Sequence, residues 1–494
     1  MMNNKSKKAI FSILLVAMMI CTILPTTLAY NNENKIQNIK NFNVQHIWYV
    51  DDDRDPGWYD NNHLRTISEA ILKAIDGDKI IVYMGYYKEN IVINKMLEVT
   101  GSGADTSPPG VEGVDNTIID GDYKDHTVKI TANGVQISGF KIINSGTDKS
   151  GIYALHCHYN SIFLNILTQN SIGITLSDSN GNIITDNKIC YNKNHGLWLY
   201  QSHMNDIRVN ELFENSLDGL KIDFTATYNT VNANEAYNNQ ENGILINAAS
   251  RSNSVVSNKL EGNSVGVKCI GTSDNNQYYY NDFKDNDQNA LDTSKDIWTS
   301  DFEEGNHWSD FDEPSEGAYD NNSDGIVDKS YLVPGGENED YFPLVTDGRP
   351  NPPQIECLNP DDDDKLYINK VYNFRVWTPE YINEYDEVSY TIYWEDGTKN
   401  ETDFVNPKDG TVVTHTYTVE KRVQISARAS VKVIGEIRDR VSDESNKITY
   451  QVPKNKEKPI FNNLNYFLKN LLSNDNIITF IRLLEKNQQR LISN

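Results

Sequence analysis

Six glycines recur through residues 151–266 at intervals of 22 to 24 residues, and three asparagines follow each one. The glycines are Gly151, Gly173, Gly196, Gly219, Gly243 and Gly266. The asparagines fall in steps of five residues, as in Asn160/Asn165/Asn170 and Asn253/Asn258/Asn263. A period of roughly 20–50 residues is typical of solenoids, in which each unit buries its apolar side against its neighbours.

Within one unit the apolar residues alternate after the glycine and then stand singly between asparagines. Ile244 and Ile246 show the alternation, and Val255 and Leu260 are the single residues. This pattern predicts three short strands, each bounded by a turn, and lacks the spacing of three and four that a helix requires. At about 3.3 Å per residue and about 4.8 Å between strands, the units predict the stacked coils of a parallel β-helix. The asparagines are expected to adopt left-handed corners and to hydrogen-bond from coil to coil.

Two segments resemble a known family. The segment containing Tyr49-Val50-Asp51-Asp52, Thr66-Ile67, Gly77-Asp78, Val82-Tyr83 and Tyr87-Lys88-Glu89-Asn90 resembles the N-terminal part of NosD-like proteins. GNHWSDF (305–311) and residues 324–345 resemble that family's C-terminal part. The resemblance spans roughly residues 47–345 and implies a right-handed, pectate-lyase-like β-helix of the type common in archaeal secretomes. Family members carry several labels, including copper delivery and carbohydrate-surface roles. Copper or another transition metal is therefore an implied cofactor, although Met84, Met96 and Met204 form no thioether cluster of the kind that soft copper ligation favours.

Short alternating segments after a Pro-rich linker predict a small β-sandwich. They resemble the Ig-like modules of the polycystic-kidney-disease (PKD) type, in part through the Trp394-Glu395-Asp396-Gly397-Thr398 turn. The chain is therefore expected to be all-β, with about 23 residues per coil and a short helical tail. The expected divisions are a signal peptide (1–29), an N-terminal cap with the first coils (46–100), a parallel β-helix (101–300), a C-terminal cap (301–346), a linker (347–353), a β-sandwich (354–452) and an amphipathic helical tail (453–494).

The N-terminus predicts export. Lysines, an apolar run and the ending Thr-Leu-Ala form a signal peptide cleaved near Ala29, with an uncleaved anchor as the alternative. No later segment is apolar enough to span a membrane. The net charge of −25 disfavours nucleic acid as a partner. We therefore expect a secreted or cell-surface protein, with a basic tail (Lys469, Arg482, Lys486, Arg490) that docks on a partner or on the envelope.

The segment YDNNSDGIVD contains a calcium-type loop. Alternating oxygen side chains, a glycine for the sharp turn and a backbone carbonyl are what a hard cation with six to eight oxygen ligands needs. Tyr331 stands where the longer form of this loop has a bidentate Glu. The expected ligands are Asp320, Asn322, Asp324, Ile326 (through its carbonyl) and Asp328.

The residues two and four places after each glycine are expected to point to solvent and to form a carbohydrate-binding face. Aromatic and charged side chains gather on adjacent coils there, which also leaves a lyase or a glycoside hydrolase open. The expected sugar-binding residues are Trp198, Tyr200 and Tyr153, and the catalytic candidates are His195, Asp218, Lys221 and Asp223.

A third constellation surrounds Cys157. His156 and His158 flank this cysteine, and Asp178 lies one coil further on, which makes a second candidate metal site. The four cysteines beyond the signal peptide have no spacing of a zinc finger or disulfide framework. The sequence thus favours an envelope protein that binds or organises surface polysaccharide or protein and holds calcium, with a polysaccharide-cleaving enzyme and a copper-binding protein as alternatives.

Overall fold

The computed structural model describes residues 46–104, 116–361, 365–378, 387–418, 421–432 and 439–452. The predicted signal peptide and the predicted helical tail lie outside these residues. Within them, no helix has the length and apolar character needed to cross a bilayer.

Residues 46–308 form a parallel β-helix of about ten coils, as predicted, because each coil contributes one strand to each of three parallel sheets. The nine strands of sheet 1 are Ile91–Ile93, Val128–Ile130, Ser150–Leu155, Ile172–Ser177, Leu197–Tyr200, Leu220–Asp223, Asn242–Ile246, Val265–Cys269 and Gln288–Asp292. The strands of sheet 2 are His63–Leu64, Ile47–Val50, Lys79–Val82, Glu98–Gly101, Gln136–Ser138, Ser161–Phe163, Ile183–Thr185, Asp206–Arg208, Thr230–Asn232, Ser254–Val256 and Gln277–Tyr279. The strands of sheet 3 are Gly85–Tyr87, Thr117–Asp120, Lys141–Ile143, Ile166–Thr168, Lys188–Cys190, Glu211–Phe213, Glu235–Tyr237, Lys259–Glu261, Asp282–Lys284 and His307–Trp308.

Both ends of the apolar core are covered. One α-helix, Ile67–Lys73, lies within the expected N-terminal cap (46–100) and buries Ile67, Ala70 and Ile71 over that end of the core. At the other end the rings of Trp298 and Trp308 close the core, followed by the short hairpin Tyr331–Leu332/Glu339–Asp340. The 3₁₀ turns Pro56–Trp58 and Pro314–Glu316 lie outside the coils.

The repeated asparagines are buried and form three ladders along the solenoid. In each ladder the side-chain oxygen of one asparagine accepts the backbone N–H, and in most coils also the side-chain N–H, of the asparagine one coil earlier. Asn210 shows the full pattern: its Oδ1 lies 3.0 Å from both Asn187 nitrogens, and its Nδ2 lies 3.0 Å from Asn234 Oδ1. The ladders that contain Asn276 and Asn306 end on the carboxylates of Asp296 and Asp340. Coil-to-coil hydrogen bonding is therefore confirmed.

The expected left-handed corners are one residue out of place. The ladder asparagines have no positive φ; the residue before each one does, including Leu164 (φ 55°) and Val209 (φ 54°). A left-handed conformation costs a side chain with a Cβ roughly 1–2 kcal/mol. The asparagine therefore does not adopt the strained corner but holds it in place through its own buried hydrogen bonds.

The eight strands after residue 353 form two antiparallel sheets around one apolar core. One sheet contains Gln354–Cys357, Val371–Trp377 and Thr411–Thr416. The other contains Lys399–Glu401, Val388–Tyr393, Lys421–Lys432, Asp439–Val441 and Ile448–Val452. A sandwich-like module is therefore confirmed.

This sandwich packs against the β-helix, which the sequence reasoning did not anticipate. The Arg428 guanidinium binds two glutamates on successive coils, with Nη1 2.5 Å from Glu235 Oε1 and Nη2 3.2 Å from Glu211 Oε1. Asp186 accepts from Tyr393 (2.7 Å) and Lys399 (2.6 Å) of the sandwich. A cleft of about 190 Å³ remains between the two modules. These contacts therefore lie along sheet 3 and at the corner between sheets 2 and 3.

Candidate binding face on sheet 1

Sheet 1 has the alternation that the sequence predicts. Ile174, Leu199 and Ile222 are fully buried, whereas Trp198 and Lys221, paired in register on neighbouring coils, lie on the outer face. The outer face is more covered than expected. Leu245 is only 9% exposed, and Thr175 and Asp223 are also buried. Leu245→Asp is therefore not the harmless surface change that the outward position would suggest.

His195 and Asp218 form a side-chain pair one coil apart, just before two of the repeat glycines. Nδ1 of His195 lies 2.9 Å from Asp218 Oδ2. Asp218 is 0% exposed, and its other oxygen accepts from Asn242 Nδ2 at 2.5 Å. His195 Nδ1 and Asp218 Oδ2 are close, but neither forms a hydrogen bond of normal geometry, and the fully buried Asp218 does not reach the surface. His195 keeps part of its ring accessible.

Trp198, Tyr200, Lys221 and Asp223 come together as predicted, but the charged pair changes what the tryptophan offers. Lys221 Nζ lies 3.2 Å from Asp223 Oδ2 and 5.1 Å from the centroid of the Trp198 ring. The ammonium group thus covers one face of that ring. Asp218 and Asp223 are both buried and bound to neighbours, so they do not form the free pair of carboxyl groups that glycoside hydrolysis uses.

The exposed aromatic surface extends to a residue that sequence reasoning missed. Phe224 packs on Tyr200 with ring centroids 4.6 Å apart, and it is 47% exposed. Its φ of 51° marks a corner, so it lies outside the regular alternation used for the sequence prediction. An aromatic residue directly after the last strand residue was the available signal.

The third expected sugar-binding residue, Tyr153, lies on the same face two coils before Trp198. Its ring stacks on His126 at 4.1 Å, another residue that the sequence reasoning missed. Burial, followed by the charge of Lys149, lowers the pKa of His126 to about 4. The ring is therefore neutral at pH 7, and its Nδ1 accepts the Ser150 N–H at 2.9 Å.

The calcium-type loop folds around Asp320. Oδ1 of this residue accepts the backbone N–H of Ser323 (2.6 Å) and Asp324 (3.2 Å), and Oδ2 accepts that of Gly325 (3.0 Å). Asp328 instead accepts from the Asn321 side chain. In the described part of the chain, the loop is not among the groups in which three His, Cys or acidic donors approach within 4.8 Å.

The second candidate metal site is only partly brought together. Nδ1 of His156 lies 2.9 Å from Asp178 Oδ2, whereas Nδ1 of His158 accepts the backbone N–H of Asn180. His158 therefore links two neighbouring coils through this hydrogen bond. Within the described ranges, these three residues do not form a group of donors within 4.8 Å.

Residues 71–313 match a protein family model described as periplasmic copper-binding protein (NosD). That stretch, just under half of the chain, is NosD-like. No curated protein matches the chain.

Several solved structures resemble the chain in fold. A double mutant of the periplasmic alginate epimerase AlgG is 19% identical with a TM-score of 0.29; the match covers 45% of this chain and 60% of that one. Pectate lyase Pel9A is 16% identical with a TM-score of 0.37, over 52% of this chain and 78% of that one. ORF18 of Geobacillus virus E2 is 14% identical with a TM-score of 0.37, over 77% and 76%. These likenesses concern the fold alone.

The described residues do not fit copper(I), which favours several thiolate, thioether or imidazole donors. Among them, no three-donor group within 4.8 Å contains more than one thiol or imidazole. Cys157 and Cys190 are buried singly, and the exposed Met96 and Met204 belong to different coils.

Proposed function

We propose that this chain is an extracytoplasmic β-helix protein that binds a polysaccharide on the outer face of sheet 1. The observation that carries the proposal is the exposed aromatic surface of Tyr200 and Phe224 beside the Trp198 edge and the Lys221 ammonium group. Aromatic rings bind the apolar faces of sugars, and an ammonium group adds a hydrogen-bond donor. The predicted signal peptide and the periplasmic description of the matched family support the extracytoplasmic location.

A glycan array followed by calorimetry tests this binding. Phe224→Ala should weaken glycan binding at least about tenfold, equivalent to roughly 1.4 kcal/mol. The fold should tolerate the change, because Ala248 holds the equivalent corner of the next coil with a similar φ (50°). Phe302→Ala is the matched control, because Phe302 is 55% exposed but lies beyond the last coil of sheet 1. Equal affinities of the two variants would refute the proposed face.

A second function is favoured by one specific observation, the His195–Asp218 pair. An imidazole next to a carboxylate, 2.9 Å away here, is a suitable general base. In a lyase reaction His195 would take the proton next to the uronate carboxyl group while the glycosidic C–O bond breaks, leaving an unsaturated sugar. Absorbance of that product, lost in His195→Gln with glycan binding retained, would establish this reaction. If the wild type binds glycan but forms no unsaturated product, the binding function stands and the lyase function is excluded.

Calcium in the 320–328 loop and a docking role for the basic tail complete the proposal. Asp320 already organises the loop through three backbone N–H groups, which leaves the oxygens of Asn322 and Asp324 close to the same turn. Oxygen donors on a tight turn suit Ca²⁺. The basic residues of 453–494 suit an acidic envelope polymer or protein as partner.

A further inference from the structure

A thiol and two carboxylates meet at the C-terminal end of the solenoid core, away from the binding face. Cys269 and Asp292 end two successive strands of sheet 1 and are paired in register. Asp296 lies in the following loop. One donor atom of each residue lies within 4.8 Å of the other two.

The two aspartates of this cluster bring negative charge into the core without a paired basic side chain among the described residues to balance it. Cys269 and Asp292 are fully buried and Asp296 is partly buried. In the described structure, neither aspartate forms an ion pair with a lysine or an arginine. Two acids held together inside a protein are costly unless a proton or a metal ion neutralises them. Burial, followed by the charge of Asp292, raises the pKa of Asp296 to about 7.

The surrounding contacts orient the donors. Asp292 Oδ2 accepts from Trp298 Nε1 and Asn338 Nδ2, both at 2.8 Å. Such outer contacts are typical of metal-binding carboxylates. Ser273 is fully buried and its hydroxyl has no hydrogen-bond partner, although its carbonyl oxygen lies 3.4 Å from Cys269 Sγ. The Ser273 residue therefore contacts the cluster through its backbone, and its unsatisfied buried hydroxyl is a second, independent sign of a ligand.

We propose that Cys269, Asp292 and Asp296 bind a structural Zn²⁺, with the Ser273 hydroxyl or a water as fourth ligand. Zinc takes mixed sulfur and oxygen donors in tetrahedral sites, whereas one thiol among carboxylates is too hard a set for copper(I) and too soft for calcium. Binding releases the thiol proton to solvent and forms the Zn–S bond, with no change of oxidation state. The ion would join the last two strands of sheet 1 to the loop at 296 and, through Asn338, to the C-terminal cap. This inference is independent of the proposed glycan binding.

Metal content and cobalt substitution test the proposal on the full chain. Protein treated with a chelator and then given Zn²⁺ should take up one equivalent by native mass spectrometry and melt at a higher temperature. Co²⁺ in its place should give a thiolate-to-cobalt charge-transfer band. Absence of both uptake and band would overturn the proposal and leave the two aspartates as a pair sharing a proton.

Three substitutions locate the ion. Cys269→Ser should lose the band, and Asp296→Asn, a partly exposed and isosteric change, should weaken zinc binding at least tenfold. Cys190→Ser is the matched control, because Cys190 is equally buried but lies in sheet 3 next to no acidic pair. A band that persists in Cys269→Ser, or that disappears in Cys190→Ser, would refute the assignment. Because zinc uptake and the cobalt band are first measured on the wild type, failure of one variant to fold leaves the test intact.

Discussion

Replacement of Arg428 by methionine should detach the sandwich from the β-helix. Arg428 is 6% exposed, and its guanidinium contacts Glu211, Glu235 and the Ser442 carbonyl oxygen. Burial opposes ionisation of Glu235, but Arg428 outweighs it and lowers the pKa of this carboxyl group. Methionine fills a similar volume but leaves the Glu235 carboxylate, which is only 15% exposed, without the cation it pairs with, whereas Glu211 keeps Lys188 at 3.1 Å. Removing one partner of a buried ion pair costs about 3–5 kcal/mol.

That cost falls on the contact between the two modules, so the assay must separate docking from folding. Calorimetry of wild type should show the sandwich and the β-helix melting together, whereas Arg428→Met should give an earlier, separate sandwich transition. Small-angle scattering should show a larger radius of gyration for the variant. Arg375→Met is the control on the same sandwich, because Arg375 is 41% exposed with Glu356 4.0 Å away, and should change stability by less than about 1 kcal/mol.

A rescue experiment distinguishes lost charge balance from lost packing. Changing Glu235 to Leu in the Arg428→Met background removes the orphaned charge, and apolar replacement of a complete buried ion pair is often neutral or stabilising. Docking should return in this double variant, because Glu211 still pairs with Lys188. If Arg428→Met itself keeps the wild-type scattering curve and a single transition, the ionic contact does not hold the modules together.

Three further outcomes are expected. Asn210→Ala should lower the free energy of unfolding by about 3–5 kcal/mol, because it leaves several buried groups unpaired, whereas Asn194→Ala, which loses one contact to Ser171, should cost about 1 kcal/mol in the same urea titration. Burial opposes charging of His307, but its two aspartate partners raise its pKa, so its stabilisation is complete below about pH 6.5 and lost as the pH rises through the raised value. His307→Gln should flatten that fall in a pH series of melting temperatures, and an unchanged slope would contradict the pairing. Millimolar Ca²⁺ should raise the melting temperature of wild type but not of Asp324→Asn; equal melting in calcium and chelator would exclude the loop site.

The β-helix could be predicted because its information is local and repeated. The next coil leaves no space for a side chain at positions such as Gly173, because a Cβ there would clash with the Gly196 carbonyl oxygen. Ladder asparagines must recur in phase because each one hydrogen-bonds to its equivalent in the next coil. The left-handed corners were misplaced by one residue because Asn tolerates such corners in general, and only the coordinates show that Val209 adopts one beside Asn210.

Docking of the sandwich could not be predicted, because it joins residues about two hundred positions apart whose partners follow no local period. Traces of it are nevertheless present. The first position of four successive sheet 3 strands is charged, with Lys188, Glu211, Glu235 and Lys259. Arg428 interrupts the otherwise small and apolar run of residues 425–431. The sequence predicted the main residues of the binding face but not how far each is exposed to solvent. Lys221 covers Trp198 and Asp223, and this depends on side-chain pairing between neighbouring coils.

The asparagine ladders also give the solenoid an electrostatic direction. Each ladder amide has its oxygen towards the earlier coil, and most donate a side-chain N–H to the later coil. The amide dipoles therefore add along the axis, as peptide dipoles do in an α-helix. The positive end of each array lies at the C-terminal cap. There Asp296 and Asp340 receive two of the arrays directly, and Asp310 receives the third through Asn289. The acids are therefore the counterpart of acidic residues at a helix N-terminus, and a coil added by design would have to be inserted before them.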